Sequence, residues 1–173
     1  RLWLTTSLRG IAAGTLSVEV LTEGVHSGDA SGVVPSSFRI ARKLLDRLEE
    51  GASGRILPAA FHAPIPEERV AQARVAAGIL GDTMVKRFPW SGGTRPMVDE
   101  KAEVVLNRTW RPALSITGAD GPPPIANAGN VLRPATKLKL SLRIPPTIDG
   151  ERATAELKKL LEADPPHGAT VRF

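Results

Sequence analysis

The 173 residues contain no cysteine, which excludes a disulfide framework, thiolate catalysis and cysteine-ligated zinc. They contain no tyrosine, and aromatic residues make up only 4%, so the stacking platforms that hold single-stranded nucleic acid are poorly supplied. Histidine occurs three times, at 26, 62 and 167. None has a second ligand at the helical spacing that presents a metal-binding pair. No apolar run approaches the roughly 20 residues a bilayer-spanning helix needs, and no signal-peptide pattern opens the chain. We therefore expect no membrane partner and a cytoplasmic location. The chain begins at Arg1 and runs straight into LWLTTSL, so it is expected to be a piece of a longer protein.

What is present is ordinary for a globular domain: 42% hydrophobic and 24% charged residues, in a length that suits one domain with a substantial core. The net charge of +5 is small and spread along the sequence, and reads as a solvated surface with no nucleic-acid partner. Residues 2–8 read as an opening strand and Arg9-Gly10 as a turn. In 15–21, Leu16, Val18 and Val20 alternate with polar positions, the period of a half-buried strand. A helix is expected over 35–50, opened by Pro35, with Phe38, Ala41, Leu44, Leu45 and Leu48 on its apolar face and Gly51 at its stop. IPEERVAQARVAAGIL, 65–80, reads as a helix with Glu67 and Glu68 favouring its N-terminal dipole. Residues 51–103 as a whole read as an insertion, with a loop at 88–96.

Strands are expected at 104–106 and 113–117, separated by Trp110-Arg111-Pro112, with a loop over 118–130. The clearest alternation is KLKLSLRI, 137–144, in which Leu138, Leu140, Leu142 and Ile144 oppose Lys137, Lys139, Ser141 and Arg143. A second helix is expected over 149–163 on Ala153, Leu157, Leu160 and Leu161, and a last strand over 168–173. The order predicts an α+β domain: a two-layer α/β sandwich whose mainly antiparallel sheet is covered on one face by two helices, a ferredoxin-like βαββαβ with a helical insertion. Arg143 falls on the open face.

Enzyme signatures are scarce. SGG at 91–93 is not a phosphate loop, GADGPPP at 118–124 is no dinucleotide fingerprint, and the neighbours His26, Ser27 and Asp29 make a poor nucleophilic triad. Three polar residues stand out at one end or on the open face of the sheet: His26, in EGVHSGDASG, Asn130 and Arg143. Each also has a purely structural reading, as cap, turn residue and solvated strand residue respectively. On the residues alone the chain is a basic α/β module with an arginine able to bind an anion.

Four segments carry a resemblance. They are LRG followed by a strand, VHSGDASG before the first helix, NVLRPATKLKLSLRIPP, and the closing helix and strand. Together they resemble the lid, or dimerisation, domain of the di-zinc exopeptidase and amidohydrolase superfamily, which includes aminoacylase, glutamate carboxypeptidase, carnosinase and succinyl-diaminopimelate desuccinylase. Asn130 and Arg143 fall thirteen residues apart within that pattern. LRP after Asn130-Val131 departs from the family's apolar-Pro sequence, and the 51–103 insertion resembles the larger dipeptidase-like members.

The resemblance implies that residues 1–173 form a single lid domain. Two zinc ions and their ligands would lie in a catalytic domain absent from this chain, so the chain itself is expected to hold no cofactor and to be inactive alone. It implies a homodimer formed through lids, by the first helix and an edge strand, here 35–50 and 113–118. The substrate would be a peptide or N-acyl amino acid. His26 would reach the partner's active site and stabilise the oxyanion, Arg143 would bind the substrate carboxylate, and Asn130 would add a hydrogen bond near it. The alternative is a self-standing α/β interaction module that binds peptide or RNA.

Overall fold

The structure, a computed structural model, describes Thr5 and residues 8–173. The expected opening strand at 2–8 falls mostly outside the described residues. Strand β1 (Gly10–Glu19) then crosses the domain. A two-residue strand β2 (Val25–His26), one turn of helix α1 (Ser27–Ala30) and helix α2 (Ser37–Leu45) follow. Helices α3 (Glu67–Leu80), α4 (Thr83–Lys86) and α5 (Lys101–Thr109) form the insertion. The chain returns through β3 (Ala113–Asp120), β4 (Val131–Leu132), β5 (Ala135–Ile144), α6 (Gly150–Glu162) and β6 (Thr170–Arg172).

The main sheet has the order β3-β5-β1-β6, with antiparallel pairing at every step. Setting aside the insertion and the short ribbon, this is the βαββαβ sandwich that the alternation predicts. Period two places Ala12, Leu16 and Val18 of β1 and Leu138, Leu140, Leu142 and Ile144 of β5 on the buried face. There they meet Ile40, Ala41 and Leu44 of α2 and Ala153, Leu157 and Leu161 of α6 in one core. Each of these leucines contributes about 1.5–3 kcal/mol by leaving water. Gly14 of β1 leaves room for the Phe173 ring, which a Cβ there would approach within 2.6 Å.

Several expectations are corrected. Gly10 opens β1 and is not a turn residue, so the strand starts five positions before Thr15. Helix α2 ends at Leu45, because Leu57 N–H donates to the Leu48 carbonyl and Glu50 N–H to the Arg55 carbonyl, folding the chain back on itself. Its buried face is Ser37, Ile40, Ala41 and Leu44, while Phe38 is 50% exposed.

The segment 104–106 is helical and not a strand. The Glu100 carboxylate accepts the N–H groups of Ala102 (3.0 Å) and Glu103 (2.6 Å), capping α5 where it begins. Ala73 and Ala77 of α3 join Ala102, Val104, Leu106 and Trp110 in two small clusters, apart from the main core. The helical segment thus extends through Thr109, beyond the expected boundary at 103. No helix among the described residues is long and apolar enough to cross a membrane.

Candidate functional site

His26 lies beyond the Glu19 end of the β1–β5 pair. Val20 N–H donates to the Pro134 carbonyl (2.8 Å), which carries the pairing past the end of the sheet. The chain then forms the β2–β4 ribbon, in which Val25 faces Leu132 and His26 faces Val131. Ser27 N–H donates to the Asn130 carbonyl at 2.9 Å. His26 and Asn130, 104 positions apart in sequence, are therefore neighbours across this ribbon.

The imidazole is built outward. Its side chain is 63% exposed. His26 caps α1, and its Nδ1 accepts the Gly28 N–H at 3.2 Å. An amide N–H can only donate, so Nδ1 supplies a lone pair and the ring proton of the neutral form sits on Nε2. The residue thus presents an N–H donor to whatever approaches. An Asp29 carboxylate oxygen stands 3.8 Å from the same Nδ1.

Arg143 lies on the open face of β5, exposed, between Ile11 of β1 and Ala113 of β3. It is eight residues along the strand from Ala135, roughly 26 Å at the rise of an extended chain. The structure brings His26 and Asn130 together and leaves Arg143 at the opposite end of the sheet. The three do not form one cluster within a chain.

Other arginines gather at the Arg143 end. Arg9 Nη1 donates to the carbonyls of Asn107 (2.8 Å) and Arg111 (3.0 Å), tying β1 to the end of α5. Burial first, then the charges of Arg143 and Arg108, push the Arg9 guanidinium below its usual range. Arg111 is neutralised by Glu103 and also donates to Asn107 Oδ1 at 2.9 Å. Among the described residues, neither Arg143 nor Arg108 has a carboxylate within ion-pair distance. This end of the open face is consequently a concentration of positive charge able to receive an anion.

Sequence reasoning placed Arg9 in a turn and missed this role; its position in LRG, before a strand, was the only available signal. A cleft of about 880 Å³ opens between the loop after α2 and the insertion, lined by His62, Asn107 and Arg111 among others, but by none of the three candidates.

Among the described residues no group of three or more His, Asp or Glu side chains gathers in a way that could hold a metal ion. His62 Nε2 is bonded to the Ile56 carbonyl at 2.7 Å, and His26 stands among backbone groups with a single carboxylate nearby. The side chains present do not fit a di-zinc centre.

A family model described as the peptidase dimerisation domain matches residues 6–169. The chain belongs to this family. No curated protein matches the sequence significantly.

Solved structures agree with the dimerisation-domain fold. The dipeptidase Dug1p from Saccharomyces cerevisiae is 24% identical with a TM-score of 0.69, over 96% of this chain and 35% of that one. Human carnosine dipeptidase 1 is 21% identical with a TM-score of 0.73, over 99% and 38%. The M20 family metallo-carboxypeptidase Sso-CP2 from Sulfolobus solfataricus is 18% identical with a TM-score of 0.70, over 96% and 43%. At these identities the likeness shows the fold, and this dimerisation domain spans less than half of each of the three.

Proposed function

We propose that this domain is the lid of a cytoplasmic, zinc-dependent metallopeptidase or amidohydrolase that cleaves peptide or N-acyl amide bonds. The two zinc ions and their ligands belong to a catalytic domain outside residues 1–173. The observation that carries the reading is the outward Nε2–H of His26, on a domain of the peptidase dimerisation family. When a nucleophile adds to an amide carbonyl, negative charge develops on the oxygen. A positioned N–H donor stabilises that charge more than it stabilises the ground-state carbonyl. His26 supplies the donor, and Asn130, its neighbour across the ribbon, adds a hydrogen-bonding side chain for the substrate. Arg143 binds the substrate carboxylate, a natural guanidinium role, with Arg9 and Arg108 deepening the positive field around it.

His26 and Arg143 lie at opposite ends of the sheet, with roughly 26 Å of strand between Ala135 and Arg143, and this makes the dimer part of the chemistry. A dipeptide spans at most about 7 Å, so His26 and Arg143 of one chain serve different substrates. A two-fold homodimer resolves this: Arg143 of one protomer and the partner's imidazole complete each site. The exposed edge of β3, with Ile116 44% exposed, and the outer face of α2 around Phe38 are the surfaces we assign to that pairing. Unpaired edges and exposed apolar side chains invite it.

Two measurements test the reading. Calorimetric titration of this chain with zinc is expected to give no tight stoichiometric site, and such a site would refute the division of labour. In the full-length enzyme, His26→Ala is expected to lower kcat about 10²–10³-fold with a smaller change in KM. Unchanged turnover would remove the oxyanion role.

A further inference from the structure

Gly28 carries a constraint that its backbone does not explain. It lies within α1, and its φ is outside the left-handed region that favours glycine. An ordinary L-residue fits that backbone, and alanine is the better helix former. Gly28 is also exposed to solvent. Yet a Cβ at this position would fall 2.8 Å from Cε1 and 3.0 Å from Nδ1 of the His26 ring. Beyond its chain neighbours and the backbone of its own helix, no other atom lies within 4 Å of it. The imidazole alone needs the missing methyl.

We infer that Gly28 is a positioning residue for His26, which selects the ring's orientation and its tautomer together. The inference rests on the oxyanion reading given above. Without a side chain, residue 28 lets the ring lie close over its own N–H, and that N–H holds the Nδ1 lone pair at 3.2 Å. The ring proton is thereby kept on Nε2, the outward atom. A methyl group swings the ring away and the hydrogen bond is lost. The Asp29 carboxylate, 3.8 Å from Nδ1, then accepts a hydrogen bond from an Nδ1–H. The proton count of the neutral ring is unchanged, but part of the population moves its proton from Nε2 to Nδ1. The outward nitrogen in those molecules offers a lone pair where a developing oxyanion needs a donor.

The test is Gly28→Ala, read in two ways. In this chain, the ¹⁵N chemical shifts of the two ring nitrogens report which one is protonated. The wild-type protein is expected to show Nε2–H alone, and the variant a mixture of tautomers, with a urea midpoint equal to or above that of the wild type. In the full-length enzyme, Gly28→Ala is expected to lower kcat at least tenfold with KM within threefold, approaching but not exceeding the loss in His26→Ala. A variant that keeps the wild-type nitrogen shifts and wild-type turnover overturns the inference. So does a loss of turnover that merely tracks a lower urea midpoint. If His26→Ala itself retains full turnover, the oxyanion reading falls, and the nitrogen shifts still decide whether Gly28 sets the tautomer.

Discussion

Ser37 and Thr136 are the two buried polar residues in the described part of the domain, 3% and 2% exposed, and their hydroxyls lie 2.8 Å apart. The bond joins the first residue of α2 to β5, across 99 positions of sequence. Ser37→Ala leaves the Thr136 hydroxyl in an apolar site without its partner. Thr136→Val keeps the shape and leaves the Ser37 hydroxyl instead. Each single change is expected to cost about 1–3 kcal/mol, the desolvation penalty of a stranded polar group. The double variant removes both hydroxyls and strands neither, so its cost should be well below the sum, with a coupling of about 0.5–3 kcal/mol. Urea denaturation of the four proteins measures this directly. For a chain of this size each kcal/mol also moves the melting temperature by about 2–4 °C. Strictly additive losses would refute the reasoning, because they would mean that the two hydroxyls do not satisfy one another.

Three other outcomes are expected. Arg143→Ala in the full-length enzyme should raise KM roughly 10- to 100-fold for substrates with a free carboxylate, the worth of a charge-assisted bond, and leave amidated analogues nearly unchanged; an equal loss for both would count against carboxylate binding. Phe38→Glu should weaken the lid-to-lid dimer at least tenfold in sedimentation equilibrium, as expected when an apolar contact at an interface gives way to a charge; an unchanged dimer constant would place the interface elsewhere. Burial, and then the nearby charge of Asp46, raise the Glu49 carboxyl above its ordinary value. The folded state therefore holds its proton more tightly than the unfolded chain does, and stability is lost as pH rises through the raised value. Glu49→Gln should be more stable than wild type at neutral pH, an advantage that vanishes below the ordinary glutamate range; a constant difference across that range would show that charge is not the cause.

The strands that read clearly in the sequence are those whose two faces differ in chemistry. In β5, Lys137, Lys139, Ser141 and Arg143 alternate with Leu138, Leu140, Leu142 and Ile144, and the observed burial follows that alternation. The first half of β1 is Gly10, Ile11, Ala12, Ala13 and Gly14; its one large apolar side chain, Ile11, faces solvent while Ala12 is buried, so no apolar period marks the start of the strand. Val104, Val105 and Leu106 form a β-favouring run, which the Glu100 cap and the packing against α3 override to make helix α5. Helical spacing with Ala41, Leu44, Leu45 and Leu48 places Phe38 on the apolar face, whereas the register of α2 buries Ile40 and leaves Phe38 half exposed.

For the proposed site, the sequence offers candidate residues and not their arrangement. Nothing local in the sequence ties His26 to Asn130, because the link is a backbone hydrogen bond across a ribbon of two residues per strand. The spacing from Asn130 to Arg143 likewise does not announce that a straight strand carries them apart.

That ribbon is continuous with the longest paired strands of the sheet through the Pro134 carbonyl, so His26 rides at the tip of a stiff lever anchored near Arg143. Over roughly 26 Å of extended strand, a tilt of about 10° moves the tip by about 4–5 Å. An oxyanion hydrogen bond operates only within about 2.7–3.1 Å. On the proposed oxyanion role, small swings of the whole sandwich would therefore be enough to engage or disengage the imidazole, with no rearrangement inside the lid itself.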